Sequence, residues 1–104
     1  MAFVKVGRKV DVAQGCGKVV DVGGKPVALF NDEGTFHAIH NTCVHRGGPL
    51  GDGDLAGNIV TCPWHGWEYD VTTGACQTNP QAKVASYEVK LEGDEILVSD
   101  TPRA

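Results

Sequence analysis

The chain has 104 residues and a formal net charge of −4, with 14 glycines and five prolines. That length suits one domain and is too short for two independent cores. Nine Lys and Arg residues without a basic cluster argue against a nucleic acid partner, because binding to the phosphate backbone depends on many cationic contacts. The sequence contains neither a run of about 18 apolar residues nor the apolar segment of a secretory signal. We therefore expect a soluble, cytoplasmic protein with no membrane partner.

Short strands and turns alternate along most of the chain. Apolar and polar side chains alternate most cleanly between 87 and 92, as in a half-buried strand. The turn sequence Asn-Asp-Glu-Gly at 31–34 predicts a tight hairpin between two apolar runs. The predicted strands are 3–6, 18–22, 26–31, 35–40, 58–62, 67–70, 83–92 and 95–99. Since no segment shows a sustained helical period, the sequence predicts an all-β fold, a small antiparallel sandwich or open barrel.

The segment 41–82 differs in composition from the two ends of the chain. It holds three of the four cysteines, two of the four histidines, both tryptophans and three of the five prolines. The flanking segments have the pattern of ordinary sheet. We therefore interpret 1–104 as a single domain in which 41–82 forms an inserted subdomain that carries the chemistry.

Two short motifs in this segment combine a thiol with an imidazole. Cys43 and His45 form the first, Cys62 and His65 form the second, and 16 residues separate His45 from Cys62. Zinc fingers usually pair Cys with Cys and His with His, whereas each motif here pairs unlike ligands. Two thiolates and two imidazoles suit a [2Fe–2S] centre with His replacing Cys on one iron. A zinc-stabilised interaction module remains an alternative; it would be colourless and would lack labile sulfide.

These motifs resemble those of the Rieske-type iron–sulfur proteins. The similarity continues through the sequence His-Gly-Trp-Glu-Tyr-Asp at 65–70, and the strand layout is similar over nearly the whole chain. The resemblance implies a Rieske fold with one [2Fe–2S] cluster bound in the 41–82 subdomain. It implies that Cys43 and Cys62 bind one iron, and that His45 and His65 bind the other, nearer the solvent. It also implies an electron carrier without catalytic residues rather than an enzyme.

The sequence departs from the respiratory members of the family at three positions. Gly48 and Trp64 replace the two additional cysteines that form a disulfide in those proteins, and Trp67 replaces a serine. Tyr69 keeps the position of a tyrosine that donates a hydrogen bond to a ligand sulfur. With fewer donors near the sulfurs, we expect a potential at the lower end of the Rieske range, roughly −150 mV.

With these departures, the sequence resembles the soluble Rieske ferredoxins of ring-hydroxylating dioxygenase systems. The implied partners are a reductase as electron donor and a terminal oxygenase as acceptor, and the implied state is a monomer. The small Rieske subunit of an assimilatory nitrite reductase is the alternative, which a large permanent interface would distinguish. We do not expect a complete Rieske oxygenase, because its mononuclear iron requires a second domain.

Several residues near the motifs have simpler interpretations. Cys16 and Cys76 are expected to be thiols, because an intracellular chain rarely keeps a disulfide. His37 and His40 are expected to be ordinary strand residues. The sequence Asn-Pro at 79–80 predicts a third loop over the cluster.

A docking face is expected beside the predicted histidine ligands. It would consist of four residues, Arg46, Pro49, Leu50 and Trp64. Acidic residues elsewhere would steer a basic partner toward this face over long range, namely Asp52, Asp54 and Glu68.

Overall fold

The computed structural model describes residues 2–43, 48–64, 66–79 and 81–103. Its strands in chain order are β1 (Phe3–Arg8), β2 (Gly17–Val22), β3 (Lys25–Asp32), β4 (Thr35–His40), β5 (Asp54–Ala56), β6 (Ile59–Thr61), β7 (Glu68–Asp70), β8 (Ser86–Glu92) and β9 (Glu95–Pro102). Short 3-10 turns cover Lys9–Asp11 and Leu50–Asp52. None of the helical segments in the described ranges is long and apolar enough to cross a membrane.

Six strands form one antiparallel sheet in the order β1-β9-β8-β4-β3-β2. Its hairpins agree with the turn residues: Glu33 and Gly34 have φ values of 52° and 87° between β3 and β4, as a tight turn of this hand requires. The sheet curls until its two end strands, β1 and β2, approach each other. The result is a nearly closed barrel, which confirms the all-β prediction.

A second antiparallel sheet, in the order β5-β6-β7, is inserted between β4 and β8. The predictions for β6 and β7 are confirmed, whereas the three-residue strand β5 was not predicted because it is too short to show alternation. The strand predicted to start at 83 begins at Ser86 instead. Residues 83 and 84, which were predicted to begin this strand, pair with the inserted unit instead. Lys83 forms a β-bridge with Ala75, and the Val84 N–H donates to the carbonyl of Gly74.

Two apolar cores lie on opposite faces of β3 and β4. The sheet core, inside the curled sheet, comprises Val12, Val20, Val22, Val27, Leu29, Phe36, Ala38, Tyr87, Ile96 and Val98. The site core, between the large sheet and the inserted unit, comprises Ala28, Phe30, Ile39, Cys43, Leu50, Val60, Cys62, Tyr69, Val71, Cys76 and Val84. Residues of β3 alternate between the two cores, so both faces of this strand are buried. That double burial explains why its sequence is a continuous apolar run.

Candidate metal centre

The first cysteine lies in a loop that is closed at its base. The Cys43 N–H donates to the carbonyl of Gly48 over 2.9 Å. Asn41, buried at the end of β4, holds the far side of the loop: its carbonyl accepts the Leu50 N–H, and its side-chain Oδ1 accepts the Gly51 N–H at 2.8 Å. These hydrogen bonds hold the chain on both sides of 44–47, so the cysteine is placed by backbone geometry.

The second cysteine comes directly after β6 and begins the loop that leads into β7. The Cys62 N–H donates to the carbonyl of Trp67 over 2.7 Å, and Thr61 pairs with Glu68 just below. The strand pair therefore fixes the base of this loop as well. The other two predicted ligands, His45 and His65, lie outside the described residues.

The two cysteine thiols meet in the site core. Cys43 and Cys62 are each 2 % exposed, and the Tyr69 hydroxyl lies 3.3 Å from the Cys43 sulfur. Burial raises the pKa of the Cys62 thiol, a hydrogen bond from the Trp64 N–H opposes that rise, and the neighbouring Cys43 thiol adds to it. The structure thus brings the two predicted sulfur ligands side by side, away from water.

The donors and the available space fit an iron–sulfur group. A soft metal binds the thiolate and so favours release of the proton that burial retains. A Cβ atom on Gly48 would lie 2.7 Å from the Cys62 sulfur, so the loop backbone approaches that sulfur more closely than any larger residue permits. Among the described residues no group of three or more His, Cys, Asp or Glu could hold a metal ion.

The predicted docking face is only partly exposed. Trp64 is 50 % exposed and Pro49 is half-buried, but Leu50 is fully buried in the site core. The prediction for Leu50 was wrong because the hydrogen bond of its N–H to Asn41 turns the residue into the core. Arg46 lies outside the described residues. The three acidic residues named for steering, Asp52, Asp54 and Glu68, are exposed.

All four cysteines are described and are thiols, as predicted for Cys16 and Cys76. Cys16 is exposed, whereas Cys76 is buried in the site core beside Tyr69. The Cys76 sulfur accepts the Asn79 N–H at 3.3 Å, which folds the chain after β7 into a loop. Pro80 lies outside the described residues, so the covering role of this third loop stays a prediction.

His37 and His40 lie in β4, as predicted. His37 is half-buried at the junction of the large sheet and the inserted unit. Burial lowers its pKa, Asp32 opposes this, Arg103 adds to it, and Asp70 also opposes it. The charged neighbours thus come from both β3 and β7 and from the C-terminal end of the chain.

Three contributions to the site were not predicted. They are the buried amide of Asn41, the backbone N–H of Trp64 and the close contact of Gly48 with Trp64. A glycine-rich loop signals close backbone approach in general, but the partner of each glycine depends on tertiary packing.

A protein-family model described as Rieske [2Fe–2S] domain matches residues 2–88. The chain belongs to this family. The cofactor of this Rieske domain is accordingly one [2Fe–2S] cluster, as the paired thiols of Cys43 and Cys62 independently suggest.

Relatives of this Rieske domain include proteins of similar length and much longer ones. It is 35% identical over 89 residues to the ferredoxin component of the naphthalene 1,2-dioxygenase/salicylate 5-hydroxylase systems from Ralstonia sp, with 85% of this chain and 86% of the relative covered. It is 34% identical over 95 residues to human apoptosis-inducing factor 3, which covers 90% of this chain. The chain spans only 16% of the length of that relative.

Solved structures confirm the Rieske ferredoxin fold. The ferredoxin of carbazole 1,9a-dioxygenase from Nocardioides aromaticivorans IC177 superposes with a TM-score of 0.89 at 30% identity, covering 95% of this chain and 98% of that one. A putative NADH-dependent nitrite reductase small subunit from Mycobacterium tuberculosis superposes with a TM-score of 0.87, covering 99% and 96% of the two chains. Its identity of 23% shows a shared fold alone.

Proposed function

We propose that this Rieske domain is an electron carrier that takes one electron from a reductase and passes it to a terminal oxygenase. The observation that carries the proposal is the buried pair of thiols in two closed loops beside an exposed tryptophan. Similarity over most of the length of a dioxygenase ferredoxin component supports the same role. In this role the chain supplies no catalytic residue, and the oxygenase performs the chemistry on the substrate.

Cys43 and Cys62 are the proposed ligands of one iron, and His45 and His65 those of the other. The adjacent sulfurs support the first pair. For the second pair, His45 falls between the hydrogen-bonded residues Cys43 and Gly48, and His65 falls between Cys62 and Trp67. On this proposal 1–104 is a single Rieske domain, with 41–82 as its cluster-binding subdomain.

The bound cluster stores one electron, and the protein sets the environment of its ligand sulfurs. Once Cys43 is a metal-bound thiolate, Tyr69 is the only partner with a proton to donate in their hydrogen bond. The Trp64 N–H donates similarly to Cys62. Both hydrogen bonds stabilise the more negative, reduced state, and the packed site core excludes water.

The surface near the site supports transient docking. Trp64 and Pro63 are exposed next to Cys62, which gives a small apolar patch rather than a large interface. The chain has a net charge of −4, so we propose a partner with a basic surface and association guided by charge. We propose that the protein is a monomer, which suits rapid binding and release of its partners. We also propose a cytoplasmic location, because four cysteine thiols suit a reducing compartment.

A permanent reductase subunit is the competing function. The likeness to a nitrite reductase small subunit concerns the fold alone, so the ferredoxin proposal stands on the dioxygenase relatives. Size-exclusion chromatography separates the two roles: a shuttling carrier elutes as a monomer and does not co-elute with its partners at micromolar concentration.

The purified chain tests the cluster assignment. We expect a red-brown protein that contains iron and labile sulfide and, after reduction, gives the paramagnetic-resonance spectrum of a Rieske centre. His65→Ala removes that spectrum if His65 is a ligand. A colourless zinc protein, or an unchanged spectrum in His65→Ala, contradicts the assignment.

Stopped-flow kinetics with a candidate reductase and oxygenase test the carrier role. Reduction of the holoprotein by the reductase and its reoxidation by the oxygenase should both be fast. Added salt should slow association with each partner by screening the acidic residues. The double change Asp52→Asn/Asp54→Asn should weaken that salt dependence, while Glu88→Gln on the exposed side of β8 should leave it unchanged. A holoprotein that neither partner reduces or oxidises argues against the proposal.

A further inference from the structure

The two cysteine loops touch at a contact between Gly48 and Trp64. A Cβ atom built on Gly48 would lie 3.0 Å from Cβ and Cγ of Trp64, as well as 2.7 Å from the Cys62 sulfur. Any larger residue at position 48 would therefore displace the tryptophan or the sulfur.

Trp64 contacts both sides of this junction. Its backbone N–H hydrogen-bonds to the sulfur of Cys62, in its own loop. Its side chain packs against Gly48, whose carbonyl accepts the N–H of Cys43 in the other loop. Trp64 therefore joins the two cysteines through short contacts. No disulfide links the loops, because all four cysteines are thiols.

We propose that Trp64, packed on Gly48, is a positioning residue that fixes the separation of the two cysteine loops and so the geometry of the bound cluster. The inference rests on the proposed function in taking Cys43 and Cys62 as ligands on different loops. Since a cluster held by Cys43 and Cys62 would join these loops, a relative shift of the loops would strain its bonds. A loosened contact then alters the electronic signature of the cluster and speeds its loss.

The first test compares two glycine substitutions in the holoprotein. Gly48→Ala places a methyl group against Trp64 and the Cys62 sulfur. Gly7→Ala is the control, because its Cβ would also meet a close atom, Asp11 Oδ2 at 3.0 Å, but on β1 and away from both cysteines. We expect Gly48→Ala to shift the paramagnetic-resonance spectrum and to accelerate cluster loss to a chelator by about tenfold, the effect of modest overpacking. Gly7→Ala should leave the spectrum unchanged.

The second test changes the tryptophan and keeps the glycine, in case Gly48→Ala does not fold. Trp64→Ala removes the Cγ atom that contacts Gly48, whereas Trp64→Phe retains both Cβ and Cγ at that contact. We expect faster cluster loss and a changed spectrum in Trp64→Ala, and restoration of both by Trp64→Phe. Leu91→Ala, another exposed apolar residue but on β8, should resemble the wild type.

Alkylation resolved by mass spectrometry adds a readout for each cysteine during chelation. In Trp64→Ala, labelling of Cys43 and Cys62 should accelerate together, while the buried Cys76 should label as in the wild type. Equal spectra and loss rates in wild type, Gly48→Ala and Trp64→Ala would overturn this inference and leave the electron-carrier proposal intact. A wild-type chain that binds no cluster would overturn both.

Discussion

The sheet core and the site core share β3 and β4 but are stabilised in different ways. The sheet core is filled by aliphatic and aromatic side chains from strands joined by hairpins. The site core includes three thiols and a tyrosine hydroxyl, and two of its cysteines lie in loops. The second core therefore brings polarisable sulfur atoms together, and it is there that we propose the cluster binds.

Removing a proposed sulfur ligand should give the largest difference between the two cores. In Cys62→Ser we expect almost complete loss of visible absorbance and labile sulfide, because a hard hydroxyl is a poor substitute for a thiolate at iron. The far-ultraviolet circular dichroism of the strands should persist, since the sheet core is untouched. Cys16→Ser, at an exposed thiol, should bind a full cluster. Retained absorbance in Cys62→Ser would show that another residue binds the iron.

A matched pair of leucines compares the cores directly. Leu29 lies in the sheet core and Leu50 in the site core, both at most 1 % exposed. Truncation to alanine should cost about 2–5 kcal/mol of stability at either position. Urea midpoints should fall in both variants, but only Leu50→Ala should shift the cluster spectrum. A spectral shift of similar size in Leu29→Ala would mean that the sheet core also positions the ligands.

A matched pair of tyrosines, one in each core, tests the contact between a hydroxyl and a cysteine sulfur. Tyr69→Phe removes the hydroxyl that contacts the Cys43 sulfur, so the reduced state loses more than the oxidised state and the potential falls. We expect a decrease of about 40 mV, the one-electron equivalent of about 1 kcal/mol. Tyr87→Phe, in the sheet core, should leave the potential unchanged in voltammetry. A potential raised by Tyr69→Phe would contradict donation from the Tyr69 hydroxyl to a metal-bound Cys43 sulfur.

The smallest expected effect concerns His37, at the junction of the two regions. Burial, with the Arg103 cation, holds its pKa below 6.5 despite Asp32 and Asp70. The unfolded chain therefore binds a proton at higher pH than the native protein. Stability should be greatest above pH 6.5 and decrease as pH falls toward the lowered pKa. Urea midpoints of His37→Gln should vary less between pH 7.5 and 5.5 than those of the wild type; an identical pH profile would show that His37 does not contribute.

The strands were predicted where sequence pattern and local turn chemistry agree. The β3–β4 hairpin is such a case, because its turn residues and its apolar runs both indicate it. Strand β5 was missed and β8 was predicted three residues too early. Both differences arise in or beside the inserted sheet, where pairing with distant residues decides the strand limits.

The site was predicted from motifs, and its surroundings were not. Cys43 and Cys62 lie together in the site core, and the ligand roles of Cys43, His45, Cys62 and His65 stay a proposal. Leu50 was assigned to an exposed docking face because an apolar residue near the motif fits a docking surface as well as a core. The hydrogen bond from its N–H to Asn41 places Leu50 in the core, and the sequence alone does not predict that bond.

The sequence by itself determined the strand pattern, the pairing of thiol with imidazole in two motifs, and the family. Those properties are local or depend on fixed spacing, so periodicity and residue type reveal them. Only the tertiary structure decided which apolar residues face which core, which N–H groups reach the sulfurs, and why position 48 must be glycine. Each of these depends on the distance between loops that are far apart in the chain, and close packing fixes that distance to within a few tenths of an ångström.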